Sequence, residues 1–289
     1  MEEKSNLNHV PIEELNLPKT IYKFRDYENP YHLRSLLDSE IYIPSVNEFN
    51  DPLDSKTPFR YREEDLTEEK IYKKCLSIAK INYPNRSEQE YQQIAYDIQQ
   101  KSLIIDEEHI EKFDRMNYNQ ICNDFGVYCL TPEYDNFLMW SYYSNSHKGF
   151  CIGYDSSVII DCGIFGMGGA VRYKNEFPKL PLFPSEDHQL FLDIFFIKWE
   201  IWQHEKEFRL LHQYKNGKIQ KLPSNAVSEI ILGCNFPEKE KHFFLQLIIN
   251  KIPNAKVFQM ELIPCEFGIT KKLVYDESLN IIKANQILE

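Results

Sequence analysis

The densest run of chemistry-bearing side chains is Trp202-Gln203-His204-Glu205-Lys206-Glu207-Phe208-Arg209-Leu210-Leu211. Read as extended chain, it puts Glu205, Glu207 and Arg209 on one face and Phe208 and Leu210 on the other. Two carboxylates at that spacing repel, which raises one pKa, while Arg209 offsets the repulsion. Such a pair at the start of a strand can bind a ribose hydroxyl or stabilise a developing cation. The spacing also fits a solvated strand edge with a surface ion pair, which is the commoner outcome.

Two other constellations carry comparable chemistry. Phe49-Asn50-Asp51-Pro52-Leu53-Asp54 offers two carboxylates for a metal, or an Asx-type turn, the better fit to Asn and Asp before Pro. Leu138-Met139-Trp140-Ser141-Tyr142-Tyr143, followed by His147-Lys148-Gly149, offers aromatic faces for a planar ring and an imidazole for phosphate binding or proton transfer. A core helix followed by a polar turn explains the same residues equally well. Gly163, Gly166, Gly168 and Gly169 cluster, but a strand-like Ala-Val-Arg-Tyr follows them. The dinucleotide fingerprint needs a helix there to hold the pyrophosphate. No GxxxxGK[ST] loop and no CxxC pair occurs, and Cys151 reads as a core thiol on an apolar strand.

The elements that must position these groups follow from periodicity. Strands are expected at residues 20–25, 40–44, 126–131, 149–154, 170–173, 207–212, 228–233 and 256–262. Helices are expected at 31–39, 137–143, 190–201 (buried) and 238–251, and a hairpin turn near Asn216-Gly217. Residues 1–19 read as a loosely held leader. Residues 61–121 change character: they are highly charged, with apolar residues three and four apart. They predict two or three amphipathic helices, broken at Tyr83-Pro84-Asn85, as an insertion within a single domain over 1–289. The sum is an α+β fold, a mostly antiparallel sheet with helices on its flank.

Charge and composition narrow the function. With 44 acidic against 33 basic side chains, the net charge of −11 disfavours nucleic-acid coating, although a local basic patch remains compatible with it. No apolar run approaches the ~20 residues that span a membrane, and Met1–Val10 lacks the apolar stretch of a secretory signal. Seven irregularly spaced cysteines read as reduced thiols, hence a cytoplasmic protein.

Several of these pieces occur together in the bacterial domain-of-unknown-function family 2971, which the chain resembles over about residues 20–235 outside the insertion. The resemblance runs through Ile21-Tyr22-Lys23-Phe24-Arg25, Phe49-Asn50-Asp51-Pro52, Val127-Tyr128-Cys129-Leu130-Thr131, Met139-Trp140-Ser141, His147-Lys148-Gly149, Val171-Arg172-Tyr173, Lys198 and Trp202…Glu205-Lys206-Glu207-Phe208-Arg209. It departs at Tyr142, where that family usually has His. The order Arg25, Thr131, then Glu205-x-Glu207 before an apolar strand is also similar, more distantly, to the Arg…Ser…Glu-x-Glu order of ADP-ribosyltransferases. Those enzymes bind NAD between two small antiparallel sheets and break its nicotinamide–ribose bond.

That resemblance implies an ADP-ribosyltransferase-like split sheet and NAD as substrate. It implies Glu207 stabilising an oxocarbenium-like state and Glu205 orienting or deprotonating the acceptor. It further implies Arg25 on the pyrophosphate, with Tyr22 and Thr131 nearby, and Trp140 or Tyr143 stacked on nicotinamide; His147, Asn50, Asp51 and Arg209 complete the candidate set. The acceptor would be a macromolecule or water, and the setting a bacterial toxin or phage-defence effector. Two other classes fit the residues: a non-catalytic binding or regulatory module, and a metal-dependent nuclease using Asp51, Asp54, Glu205 and Glu207 with Mg²⁺. The nuclease lacks a convincing Asp…Glu-x-Lys constellation; Glu68-Glu69-Lys70 sits in a charged helix.

Overall fold

Alternating apolar side chains set two sheets against one another. The computed structural model describes residues 9–11, 17–58, 60–101, 104–183, 193–213, 218–277 and 281–282. One sheet is antiparallel, in the order β1 (His9–Pro11), β6 (Met167–Ala170), β9 (Phe208–Gln213), β4 (Phe125–Leu130). The other has six strands, in the order β14 (Ile281–Ile282), β13 (Ile269–Asp276), β12 (Lys256–Leu262), β11 (Val227–Leu232), β5 (Phe150–Asp155), β2 (Thr20–Arg25). The remaining pairs are β3 (Glu40–Ile43) with β10 (Lys218–Lys221), antiparallel, and β7 (Arg172–Lys174) with β8 (Ile197–Trp199), parallel.

The main core draws on both sheets: Ile152, Tyr154 and Ile230 from one, Tyr128, Leu130 and Leu210 from the other. The hydroxyls of Tyr128 and Tyr154 meet at 3.1 Å inside it, so neither phenol is left unsatisfied on burial. The edge strands β2 and β4 are joined at one point. Tyr22 N–H donates to the Thr131 carbonyl (2.8 Å), and Thr131 N–H donates to the Tyr22 carbonyl (3.0 Å). The candidate site lies beside this seam.

Local capping chemistry starts the helices. Asn29 caps α1 (Pro30–Leu37), with proline at the first position, and Asn136 caps α5 (Phe137–Tyr143). The insertion forms α2 (Glu68–Asn82), α3 (Glu88–Gln100) and α4 (Glu107–Asp124), capped by Thr67, Ser87 and Asp106 with acidic first turns. Asp155 caps the short α6 (Ser156–Asp161). Helix α7 (Glu238–Lys251) crosses over between the parallel strands β11 and β12.

The sheets are mostly antiparallel, as expected; within the six strands β11 and β12 pair parallel, because α7 returns the chain alongside β11. Four expectations are revised. The apolar stretch 190–201 is not one helix. Residues 193–196 are helical, Ile197–Trp199 is a strand and Glu200–Glu205 a 3₁₀ turn; a short buried apolar run does not reveal its period. The Ala170–Tyr173 strand is two strands broken at Val171. Strand β10 pairs with β3 instead of folding back on β9, while the expected turn at Asn216-Gly217 lies outside the described residues. Within the expected leader, His9–Pro11 pairs with β6. None of the seven cysteines forms a disulfide, and among the described residues no helix is long and apolar enough to cross a membrane.

Candidate functional site

Strand alternation does the first positioning step. On β2, Tyr22 and Phe24 turn to a core shared with Trp140, which leaves Lys23 and Arg25 together on the opposite face. The end of β2 is held by a left-handed turn after α5, with φ of 50°, 55° and 66° at Asn145, Ser146 and His147. Gly149 closes that turn so tightly that a Cβ there would collide with the Arg25 carbonyl oxygen.

A second cluster forms where three segments meet. Glu205 ends the 3₁₀ turn, Lys206 reverses the chain at φ 45°, and Glu207 then leads into β9, which carries Arg209. Glu205 and Glu207 therefore share a side through a left-handed kink, not through the extended geometry expected from their spacing. Lys198 of β8 lies between them, 2.6 Å from Glu205 Oε2 and 3.2 Å from Glu207 Oε2. Arg209 is fully buried; it donates from Nε and Nη2 to the two oxygens of Glu207 (3.0 and 2.9 Å) and from Nη1 and Nη2 to those of Asp54 (2.8 and 2.6 Å). The Tyr143 hydroxyl donates to Glu205 Oε1 (2.6 Å), and Asn50 Nδ2 donates to that hydroxyl (3.4 Å).

These contacts set the protonation states. Burial alone would raise the Glu207 carboxyl, but the charges of Arg209 and Lys198 outweigh it and hold it well below the usual carboxylate range. The offset expected from Arg209 is thus seen at Glu207. Burial would likewise deprotonate Lys198, but Glu207, Asp54 and Glu205 keep it charged well above its ordinary range. On β2 the balance is opposite: burial, then the neighbouring Arg25 charge, lowers Lys23 to about 8. The same two causes lower His32 to about 4, so it is neutral at pH 7. Burial, and then Glu207, pushes the Cys129 thiol up, which makes it a poor nucleophile.

Both clusters face one cavity of about 410 Å³ at the seam between the sheets. Arg25, Thr131, Tyr143, Glu205 and Glu207 line it, with Asn50 and Tyr142 at its wall. Tyr22 borders it beside Thr131, its hydroxyl turned away to Glu229 (2.8 Å). Four expected site residues lie elsewhere. Trp140 is fully buried, edge-on to Phe24, and donates its indole N–H to the Tyr134 carbonyl (2.7 Å); it has no face for a ligand ring. His147 is buried against Phe137 with Nε2 3.0 Å from Ser141 Oγ, and burial lowers its pKa. Asp51 makes an Asx turn, accepting from Leu53 N–H (2.9 Å). Arg209 sits behind the acids as their counter-charge and does not line the cavity.

Lys23 and Lys198 enter the site without a distinct sequence signal. Lys23 was legible only through its register two residues before Arg25, and Lys198 only through the family-like motif. Asp51 and Asp54 do not act as a pair, since Asp54 serves Arg209. Among the described residues, no group of three or more His, Cys, Asp or Glu is arranged to hold a metal ion. Compared with family models, curated proteins and solved structures, the chain matches none.

Proposed function

We propose that the protein is an NAD-consuming enzyme that transfers ADP-ribose to a macromolecule or hydrolyses NAD, in the setting of a bacterial toxin or phage-defence effector. The observation that carries this reading is the convergence of Arg25, Thr131, Glu205 and Glu207 on one cavity from separate segments. The charge layout supports it. Asp54, Glu205 and Glu207 against Lys198 and Arg209 leave one formal negative charge in one cluster, while Lys23 and Arg25 line the same cavity from β2. A ligand with an anionic linker and a ribose that becomes cationic on bond cleavage fits this polarity.

Each residue then has a defined task. Glu207, held ionised by its cations, favours positive charge on the ribose as the bond to nicotinamide breaks. Glu205, hydrogen-bonded to Tyr143, orients the incoming hydroxyl or water. Arg25 binds phosphate oxygens. Tyr143 replaces Trp140 as the ring nearest the acids. The likeness to the Arg…Ser…Glu-x-Glu order of ADP-ribosyltransferases supplies the same assignment of Arg25 and Glu207.

Incubation with NAD labelled in its nicotinamide should release the label, and Glu207→Gln should cut release by about 100-fold or more with the circular dichroism spectrum unchanged. A folded wild-type protein with no release at millimolar NAD would end the proposal. The second reading, a binding module without turnover, draws on the saturation of both Glu207 oxygens by Arg209 and Lys198. It expects ligand binding with no nicotinamide release.

A further inference from the structure

The cavity does not stop at Arg25. A second chamber of about 530 Å³ adjoins it and shares Lys23, Arg25 and His32 as walls. Across the two chambers, most ionised side chains are already answered. Arg34 pairs with Glu40 at 2.6 Å. Glu48 accepts from Ser45 N–H (2.8 Å) and the Tyr42 hydroxyl (2.7 Å). His32 Nδ1 is engaged with the Asp26 N–H (3.0 Å). Lys198 and Arg209 are held by the three acids.

Lys23 and Arg25 are the exceptions. They stand two residues apart on one face of β2, and among the described residues neither forms an ion pair. The Lys23 ammonium donates to the Cys129 carbonyl (2.7 Å), while Arg25 Nε is shut off from solvent without a hydrogen-bond partner. Two adjacent, half-buried cations with no ion-pair partner repel, and the Glu207 and Glu205 charges act on Lys23 only from beyond ion-pair distance, so the pair costs free energy unless an anion joins it. Beyond them the chamber offers the polar Asn29 and the Tyr42 and Ile219 side chains, and no further unanswered charge.

We propose that Lys23 and Arg25 form a two-cation clamp for a diphosphate, and that the second chamber seats a neutral, nucleoside-sized group attached to its outer phosphate. The proposal deepens the NAD reading and rests on it for what enters the acid end. The clamp itself follows from the unanswered charges.

Calorimetric titration of the intact protein with pyrophosphate and with ADP tests both halves. ADP is expected to bind at least tenfold tighter than pyrophosphate. Lys23→Met should weaken both by roughly tenfold or more, as loss of a charge-assisted contact does, while Lys23→Arg should retain most of the affinity. Ile219→Trp, at a half-exposed wall position, should weaken ADP and spare pyrophosphate. Unchanged pyrophosphate affinity in a folded Lys23→Met protein would overturn the clamp. ADP binding no tighter than pyrophosphate and indifferent to Ile219→Trp would overturn the second chamber. ADP binding without nicotinamide release leaves the clamp standing and removes the NAD reading. Nicotinamide release without any ADP or pyrophosphate binding does the reverse.

Discussion

Arg209 shows how one side chain can decide the character of a site. Its guanidinium joins Asp54 from a loop to Glu207 at the start of β9, with no solvent access to share the load. Removing one partner of such a buried set leaves the others uncompensated, which typically costs about 3–5 kcal/mol. Arg209→Met is therefore expected to lose about that much in urea unfolding at pH 7. The loss should shrink toward acid pH, where Glu207 takes up a proton. Glu207 itself has a folded-state pKa held below its unfolded value. Its contribution is thus complete above the ordinary carboxylate range and is lost as pH falls through that range toward the folded value. Glu207→Gln should flatten the acid limb of the stability profile accordingly. The Glu-x-Glu-x-Arg spacing made the charges visible in sequence. It could not show that Asp54, 155 residues away, and Lys198 on a separate strand would converge on them.

At the scale of elements, the insertion and the site are separable. Among the described residues, none between 61 and 121 lines either chamber. Helices α2 and α3 form a hairpin whose ends lie together, since Gln99 Nε2 donates to the Glu68 carbonyl (3.1 Å). Helix α4 is different: Ile121 and Cys122 at its end enter a core with Val127 and Leu211 of the four-stranded sheet. Replacing residues 68–100 by a short Gly/Ser linker should therefore keep ADP affinity within about twofold, whereas truncating α4 should destabilise the sheet. Titration and thermal melts of the two deletions distinguish these outcomes. Charge density and spacing of three and four announced the insertion helices, because an amphipathic period is local information. The 190–201 run misled for the same reason: its apolar side chains fit a buried helix or strand, and packing against the four-stranded sheet decided between them.

At the scale of the whole molecule, the two sheets share one core, so neither can lose its packing alone. Calorimetry should show a single main transition for the protein without residues 68–100, with ligand raising its midpoint by mass action. Two resolved transitions in that variant would contradict a shared core. The sequence by itself determined what is written in local period and composition: most strands flanking the site, the capped helices, the mixed α+β class, and an acidic chain without an apolar membrane-spanning helix. It also put Arg25, Thr131, Glu205 and Glu207 in order along the chain. Only the tertiary structure decided that they share a cavity, that Trp140 and His147 are spent on packing, and that Lys23 and Arg25, among the described residues, form no ion pair. Burial and pairing depend on segments more than a hundred residues apart, and no local pattern encodes which of them meet.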